Sequence, residues 1–367
     1  MTWLDLRPAD AEHAIAVWVA ERGEPAYRTR QILPYLWQRP VARWTDATDL
    51  PRPLARALAA SVPLPRLDRA TSQHSRDGTV KFLWRCTDGA LVESVLIPER
   101  RRRTLCISSQ AGCAFDCAFC ATGRMGFGRH LAAWEIAAQV REMVLDPALG
   151  RPTNVVFMGM GEPLHNWPGV DAALSLLNDP RGLGLGARQI TVSTVGLVPG
   201  LEALARRAEQ FGVAWSLHSP FSDRRLQMMP VERKYPIPRV VEALRAFPRR
   251  VTFEYVMIAA YNDRPEDARE LARLAHELRA HVNLLPLHPG GASGLVPTAP
   301  AAIATFADRL RGAGVNVTVR RSRGLDIAAA CGQLRTAVDR AGGVAAHDDR
   351  DVEEQVRVGL GHDAAEA

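Results

Sequence analysis

Between residues 154 and 321 the sequence alternates short apolar, β-rich runs with amphipathic stretches of helical period, and this alternation restricts the fold more than any other feature. A chain that returns through a helix to each new buried strand builds a parallel sheet. Strands are expected at 154–158, 189–194, 213–218, 251–258 and 282–287, with helices at 170–177, 201–211, 239–246 and 267–278 between them. An earlier strand at 104–108 is followed by a helix at 132–145, and 315–321 is a candidate for one more strand. Six βα units fall short of the eight that close a barrel, so the expected fold is α/β, a partial (β/α)6 barrel. In such barrels chemistry gathers at the C-terminal ends of the strands.

The flanks read differently. Residues 1–75 hold helical stretches at 28–37 and 53–60 with proline-containing breaks, as expected of a small helical accessory domain. Residues 79–86 and 90–97, joined across Asp88-Gly89, read as a β-hairpin within a 76–98 linker. A core at 99–340 follows, and then an acidic tail at 341–367 carrying Asp348, Asp349, Asp351, Glu353 and Glu354. Asp5, Asp10 and Glu12 break up the first residues, unlike a secretion signal, and no window reaches the roughly 18 apolar residues of a membrane helix. The expectation is a cytoplasmic monomer without a membrane partner. A net charge of +6 suits a phosphate-bearing partner, although 44 of the 46 basic residues are arginine, a bias that genome composition explains as well. Lys81 and Lys234 are the two lysines.

Three of the six cysteines fall within eight residues: Cys113, Cys117 and Cys120, spaced C-x3-C-x2-C just after a strand. Three thiolates can hold three irons of a cubane, whereas a closed electron-transfer cluster takes four cysteines. The open iron can chelate an amino and a carboxylate group. Chelation of S-adenosylmethionine there sets its sulfonium beside the cluster, and one electron passed to it yields an adenosyl radical. A zinc site or a group of small buried cysteines is the alternative, but no fourth Cys or His stands at a finger-like spacing. Phe119 is placed to screen the cluster from water or to serve as ordinary core.

Met158-Gly-Met-Gly-Glu-Pro163 follows the next strand, where glycines let backbone approach a ligand and Glu162 offers a carboxylate to an ammonium. Ser193, Ser216, His218 and Asn283 sit at further strand ends; singly each reads as a satisfied hydrogen-bonding residue, and together they can ring a nucleoside and a sulfonium.

With these motifs the chain resembles the RlmN/Cfr family of bacterial radical S-adenosylmethionine RNA methyltransferases. The resemblance rests on Leu105-Cys-Ile-Ser-Ser-Gln-Ala-Gly-Cys113, Ala121-Thr-Gly-Arg-Met-Gly-Phe127, Gly159-Met-Gly-Glu-Pro-Leu164, Ser193-Thr-Val-Gly196, Ser216-Leu-His218 and Gly324-Leu-Asp-Ile-Ala-Ala-Ala-Cys-Gly-Gln-Leu334. Asp77-Gly-Thr-Val-Lys81 and Val92-Glu-Ser-Val-Leu-Ile-Pro98 extend it toward the N-terminus. It implies that Cys113, Cys117 and Cys120 hold a 4Fe-4S cluster and that Gly161, Glu162, Ser193, Ser216, Leu217, His218 and Asn283 line the S-adenosylmethionine site.

By the same resemblance Cys331 carries a methyl group, Cys106 is its partner thiol and Glu93 accepts a proton. Read alone, Cys331 is a small buried residue and Glu93 a strand carboxylate. The implied reaction is methylation of adenine C2 in 23S rRNA, with the adenine beside the tRNA anticodon as a second substrate. It uses two S-adenosylmethionines per turnover and an electron donor such as flavodoxin or ferredoxin, and it passes through a covalent RNA adduct released as a Cys106–Cys331 disulfide. Methylation at adenine C8 is the alternative within the family, and a noncatalytic iron-sulfur RNA-binding protein the alternative outside it. The chain departs from the family at His288-Pro289, where Asn-Pro is usual, and its further basic contacts must come from arginines such as those at 100–103.

Overall fold

Proline sets the first helices. The computed structural model describes residues 2–288, 294–330 and 332–334. Helix α1 (Pro8–Glu21) opens on a proline, whose missing N–H is an orphan there anyway, and buries Ala11, Ile15, Trp18 and Val19. The single helix expected at 28–37 is two, α2 (Arg28–Ile32) and α3 (Pro34–Trp37), because Pro34 has no amide to bond backward. With α4 (Arg52–Ser61) they enclose Trp18 and Trp44, both of which meet the ring of Trp3 edge to face. Residues 68–74, which the sequence placed in the helical region, instead form strand β1 (Asp68–His74).

β1 pairs antiparallel with β2 (Val80–Arg85), which pairs with β3 (Leu91–Glu99) across the expected turn. β3 pairs antiparallel with β4 (Arg102–Cys106). A small hairpin of β5 (Gln110–Gly112) and β6 (Phe127–His130), not anticipated from sequence, brackets the one-turn α5 (Ala121–Arg124) and is followed by α6 (Ala133–Leu145).

The βα alternation then runs as read: β7 (Asn154–Phe157), α7 (Trp167–Asn178), β8 (Ile190–Thr194), α8 (Val198–Ala205) and β9 (Gly212–Ser216). It continues through α9 (Ser222–Met228), α10 (Ile237–Arg245), β10 (Val251–Met257), α11 (Pro265–Glu277), β11 (His281–Pro286), α12 (Pro300–Gly312) and β12 (Val317–Val319). Among the described residues the other ten strands form one sheet in the order β1-β2-β3-β4-β7-β8-β9-β10-β11-β12, parallel from β4 onward. It is an open α/β sheet with six helical crossovers, extended by an antiparallel meander.

Several ends move. α8 stops at Ala205, short of the expected 211, and α9 and α12 were not anticipated. β9 ends at Ser216 because His218 adopts φ 55°, a left-handed conformation that no strand continues through. The acidic tail at 341–367 lies outside the described residues.

α6 is buried from Ala133 to Met143 between the sheet and the helical unit, so each of its polar side chains has a specific partner. Arg141 donates to the carbonyls of Leu36 and Val41 at 2.8 and 2.7 Å, fastening the helical unit to the core. Gln139 bonds both the amide and the carbonyl of Ser108, at 2.9 and 2.8 Å. Among the described residues no helix is long and apolar enough to cross a membrane.

Candidate active site

The C-terminal ends of the parallel strands open into a cavity of about 160 Å³. Its wall includes Cys113, Cys117 and Cys120 from the loop after β5, Gly161 and Glu162 after β7, Ser193 on β8, and Ser216 and His218 at the end of β9. These residues were marked in the sequence for one site and the fold brings them together. Leu217 is fully buried behind the wall, its amide bonded to the Glu254 carbonyl at 3.2 Å. Asn283 is not at the wall either. Its amide nitrogen donates to Glu254 Oε1 at 2.9 Å, and it is Glu254, on β10, that faces the cavity.

The cysteine loop is held by backbone. Gly112 has φ 78°, and a Cβ there would lie 2.0 Å from the Gly126 carbonyl oxygen, so only glycine admits the turn. The Cys113 amide bonds Gly126 O at 2.9 Å, and the Ala118 amide bonds Met228 O on α9 at 2.9 Å. Burial pushes the Cys113 thiol up to about 12 and that of Cys117 well above its ordinary value. Such thiols ionise only toward a bound cation.

The three thiols suit a polynuclear cluster better than a single ion. Sulfurs sharing one tetrahedral zinc lie about 3.8 Å apart, given Zn–S bonds of about 2.3 Å. Among the described residues, the donor group that gathers within 4.8 Å is Cys86, Asp88 and Glu135, not the three cavity cysteines. In that other group Arg129 already bridges both carboxylates. Beneath the cysteine loop lies the fully buried Arg225, which donates to the carbonyls of Leu217, Val195 and Ser216 and pairs with Glu232. Its charge favours a thiolate at Cys117.

Glu162 is shaped to receive a cation. Its Oε1 accepts from the Leu164 amide at 3.0 Å and its Oε2 from the Val195 amide at 2.8 Å. Burial nevertheless lifts its carboxyl to about 7, and an ammonium would draw it back down. Gly161, at φ 95°, brings this turn against Gln110, where a Cβ would meet the Gln110 side chain at 2.5 Å. Gln110 Oε1 in turn accepts the Glu162 amide at 2.8 Å.

His218 Nδ1 accepts the Val256 amide at 3.1 Å, so the neutral ring carries its proton on Nε2. Burial, and then Arg225, lower it to about 3. The Phe119 ring meets it edge on, with centroids 4.5 Å apart. His288 adds a second imidazole to the wall, kept below its ordinary pKa by burial and bonded to Ser322 Oγ at 2.6 Å.

Gln110, Arg225 and Glu254 were missed in the sequence. Glu254 carried a usable signal: it is the single charge in the apolar run Val251-Thr-Phe-Glu-Tyr-Val-Met257, and burial raises its carboxyl pKa.

Glu93 and Cys106 are not part of this cavity wall; they lie buried in the adjoining β3 and β4. Val95 on β3 stands opposite Lys81 on β2 and opposite Cys106 on β4, and Glu93 is two residues from Val95. Side chains alternate along strands, so Lys81, Glu93 and Cys106 share one face. Glu93 is 4% and Cys106 8% exposed. Ser108 Oγ donates to the Glu93 carbonyl and accepts the Met160 amide at 2.8 Å, tying this face to the glycine turn.

Cys331 lies outside the described residues, but both its neighbours are described. Gly332 is on the cavity wall and accepts the Ala121 amide at 2.8 Å, and Ala330 is buried. The segment before them is clasped by the β1–β2 turn: Asp77 Oδ2 accepts the Gly324 amide at 3.1 Å and Ser75 Oγ donates to Asp326 Oδ1 at 2.6 Å.

Comparisons with known proteins give the family. The family model of the Radical SAM superfamily matches residues 107–275. The chain is 56% identical over 351 residues to a probable dual-specificity RNA methyltransferase RlmN of Gemmatimonas aurantiaca, covering 95% of this chain and 97% of that protein. It is 46% identical over 341 residues to the dual-specificity RNA methyltransferase RlmN of Anaeromyxobacter dehalogenans, covering 90% and 91%. A crystal structure of a radical SAM methyltransferase from Sphaerobacter thermophilus superposes with a TM-score of 0.84 at 42% identity, over 91% of this chain and 99% of that one. An open βα sheet, three cysteines and a buried glutamate around one cavity, and relatives alike along nearly their whole length together place this chain in the RlmN family of radical SAM RNA methyltransferases.

Proposed function

We propose that this enzyme methylates C2 of an adenine in 23S rRNA, and likewise the adenine beside the tRNA anticodon, through a methyl carried on Cys331. The observation that carries this reading is the common face of Glu93 and Cys106, tied through Ser108 to the glycine turn of the cavity wall. When bound, the 4Fe-4S cluster and two S-adenosylmethionines per turnover supply the electron, the methyl group and the adenosyl radical that takes hydrogen from the methylated cysteine. Cys113, Cys117 and Cys120 hold the cluster, and Glu162 receives the amino group of S-adenosylmethionine. His218, with Nδ1 committed to backbone, offers only Nε2–H to a ligand.

Adenine C2 is an amidine carbon and electrophilic, so it does not displace a methyl from a sulfonium. The carbon radical on Cys331 adds to it instead, joining protein to RNA. The adduct is a radical; it gives up one electron, which the oxidised cluster, when bound, would take back, and Glu93 takes the ring proton, leaving a closed-shell thioether. The Cys106 thiolate then attacks the Cys331 sulfur; the S–S bond forms as the S–C bond breaks, and the released carbon takes up a proton to become the methyl group. A small reduced flavodoxin or ferredoxin is the proposed donor of the electron for S-adenosylmethionine cleavage, and a dithiol reductant returns the Cys106–Cys331 disulfide to two thiols, two electrons per turnover.

Mass spectrometry of nucleosides from 23S rRNA treated with the enzyme should show 2-methyladenosine, absent without it. Finding 8-methyladenosine instead would replace this reading with the C8 alternative.

Residues 1–98 are proposed to grip the folded RNA. Arg141 ties the helical unit into the core, so surface charge is a cleaner probe than deletion. Reversing the exposed Arg52 and Arg56 of α4 to Glu should lower RNA affinity and reduce the slope of log affinity against log salt by about 2, with S-adenosylmethionine cleavage unchanged. An unchanged slope would remove α4 from the RNA contact.

A further inference from the structure

We infer that Lys81 is a positioning residue that keeps Glu93 ionised and holds the Cys331-bearing segment against it. This rests on the proposed role of Glu93. Lys81 is only 7% exposed, and its Nζ lies 3.5 Å from Glu93 Oε1 and 3.4 Å from the carbonyl oxygen of Ala328, three residues before Cys331. One ammonium therefore touches both the carboxylate and the segment that leads to Cys331.

The residue type is itself informative. This chain uses arginine at 44 of its 46 basic positions, and its other lysine, Lys234, is exposed. A lysine at a buried position meets a demand that generic charge does not. A guanidinium is a planar fork of five donors, whereas the ammonium is a compact point charge able to sit between one carboxylate oxygen and one carbonyl. A buried lysine also needs its charge compensated, and Glu93 provides that.

The consequence falls on the proton step. A carboxylate buried without a cation takes up a proton and can no longer act as a base. Once the radical adduct has given up one electron, its C2–H bond breaks, the proton goes to a Glu93 oxygen and the bonding pair restores the aromatic purine ring. Lys81 keeps Glu93 unprotonated until then. Among the described residues, Cys106 on β4 shares the face of Glu93, and the Met160 sulfur, from the loop after β7, accepts the Glu93 amide at 3.3 Å; Cys331 lies outside the described residues.

The test compares Lys81→Met, Lys81→Arg and Glu93→Gln in the full-length, cluster-loaded enzyme. Measured are the pH dependence of methylated-RNA release, the RNase-sensitive covalent adduct, and methyl incorporation on Cys331. Glu93→Gln should accumulate adduct at every pH. Lys81→Met should still charge Cys331 but release product about 10-fold or more slowly at neutral pH, with its acidic limb moved up by about 1 to 2 pH units. Lys81→Arg, which keeps the charge, should return the limb toward its original position. If Lys81→Met does not fold, Lys81→Gln carries the same expectation. An unmoved limb in the neutral variants, while Glu93→Gln stalls, overturns the inference about Lys81 and leaves the role of Glu93 standing. Normal product release by Glu93→Gln overturns both.

Discussion

Cys106→Ala purified from cells should carry RNA attached through Cys331, visible as an RNase-sensitive shifted band on a denaturing gel, and Cys331→Ala should show no such band. The two thiols fail at different stages. Without Cys331 there is no methyl carrier, so no protein-bound methyl forms and no link to RNA follows. Without Cys106 the methyl is still charged and still attacks adenine, but nothing breaks the thioether bridge. Of the remaining cysteines, Cys113, Cys117 and Cys120 line the cofactor cavity, and Cys86 sits at the β2–β3 turn with its thiol held up at about 12 by burial. None is placed to substitute. Methylated product should fall to background in both variants. A band in both, or full methylation by Cys106→Ala, would show that the roles are wrongly assigned.

Cys117→Ala should lose the iron of the anaerobically reconstituted protein and with it all reductive cleavage of S-adenosylmethionine. The side chain is 7% exposed at the centre of the three-cysteine loop. Two remaining thiolates do not retain a cubane that three hold. The fold itself should survive, because the substitution removes one buried sulfur and costs about 1 kcal/mol, within the range of ordinary core truncations. Iron and sulfide content, together with the visible absorption of the cluster, check this. Zinc without iron in the parent enzyme after anaerobic reconstitution would sink the cluster assignment and the radical chemistry with it.

What could be read from the sequence was local. The C-x3-C-x2-C spacing and the Gly161-Glu162 turn are each a few consecutive residues, and their chemistry depends on types and intervals that a sequence displays directly. The same holds for the alternation of strand and helix, because periods of 2 and 3.6 residues express which face of each element is buried. Those patterns gave the six crossovers and put Ser193, Ser216 and His218 at strand ends on the cavity.

Pairings between distant segments were settled only by tertiary packing. Asn283 reads as a ligand-binding residue on its strand, yet the β10–β11 register sets it opposite Glu254, whose carboxylate it holds while Glu254 takes the cavity wall. β1 has no strong alternation of its own, with mostly half-buried residues, and is a strand because β2 supplies its hydrogen bonds. Lys81 and Ala328 stand 247 residues apart, and Arg225 meets the ends of both β8 and β9. No interval along the chain encodes such meetings. They follow from which strands become neighbours and in what register, and a shift of a single residue would turn Lys81, Glu93 and Cys106 to the opposite face of the sheet.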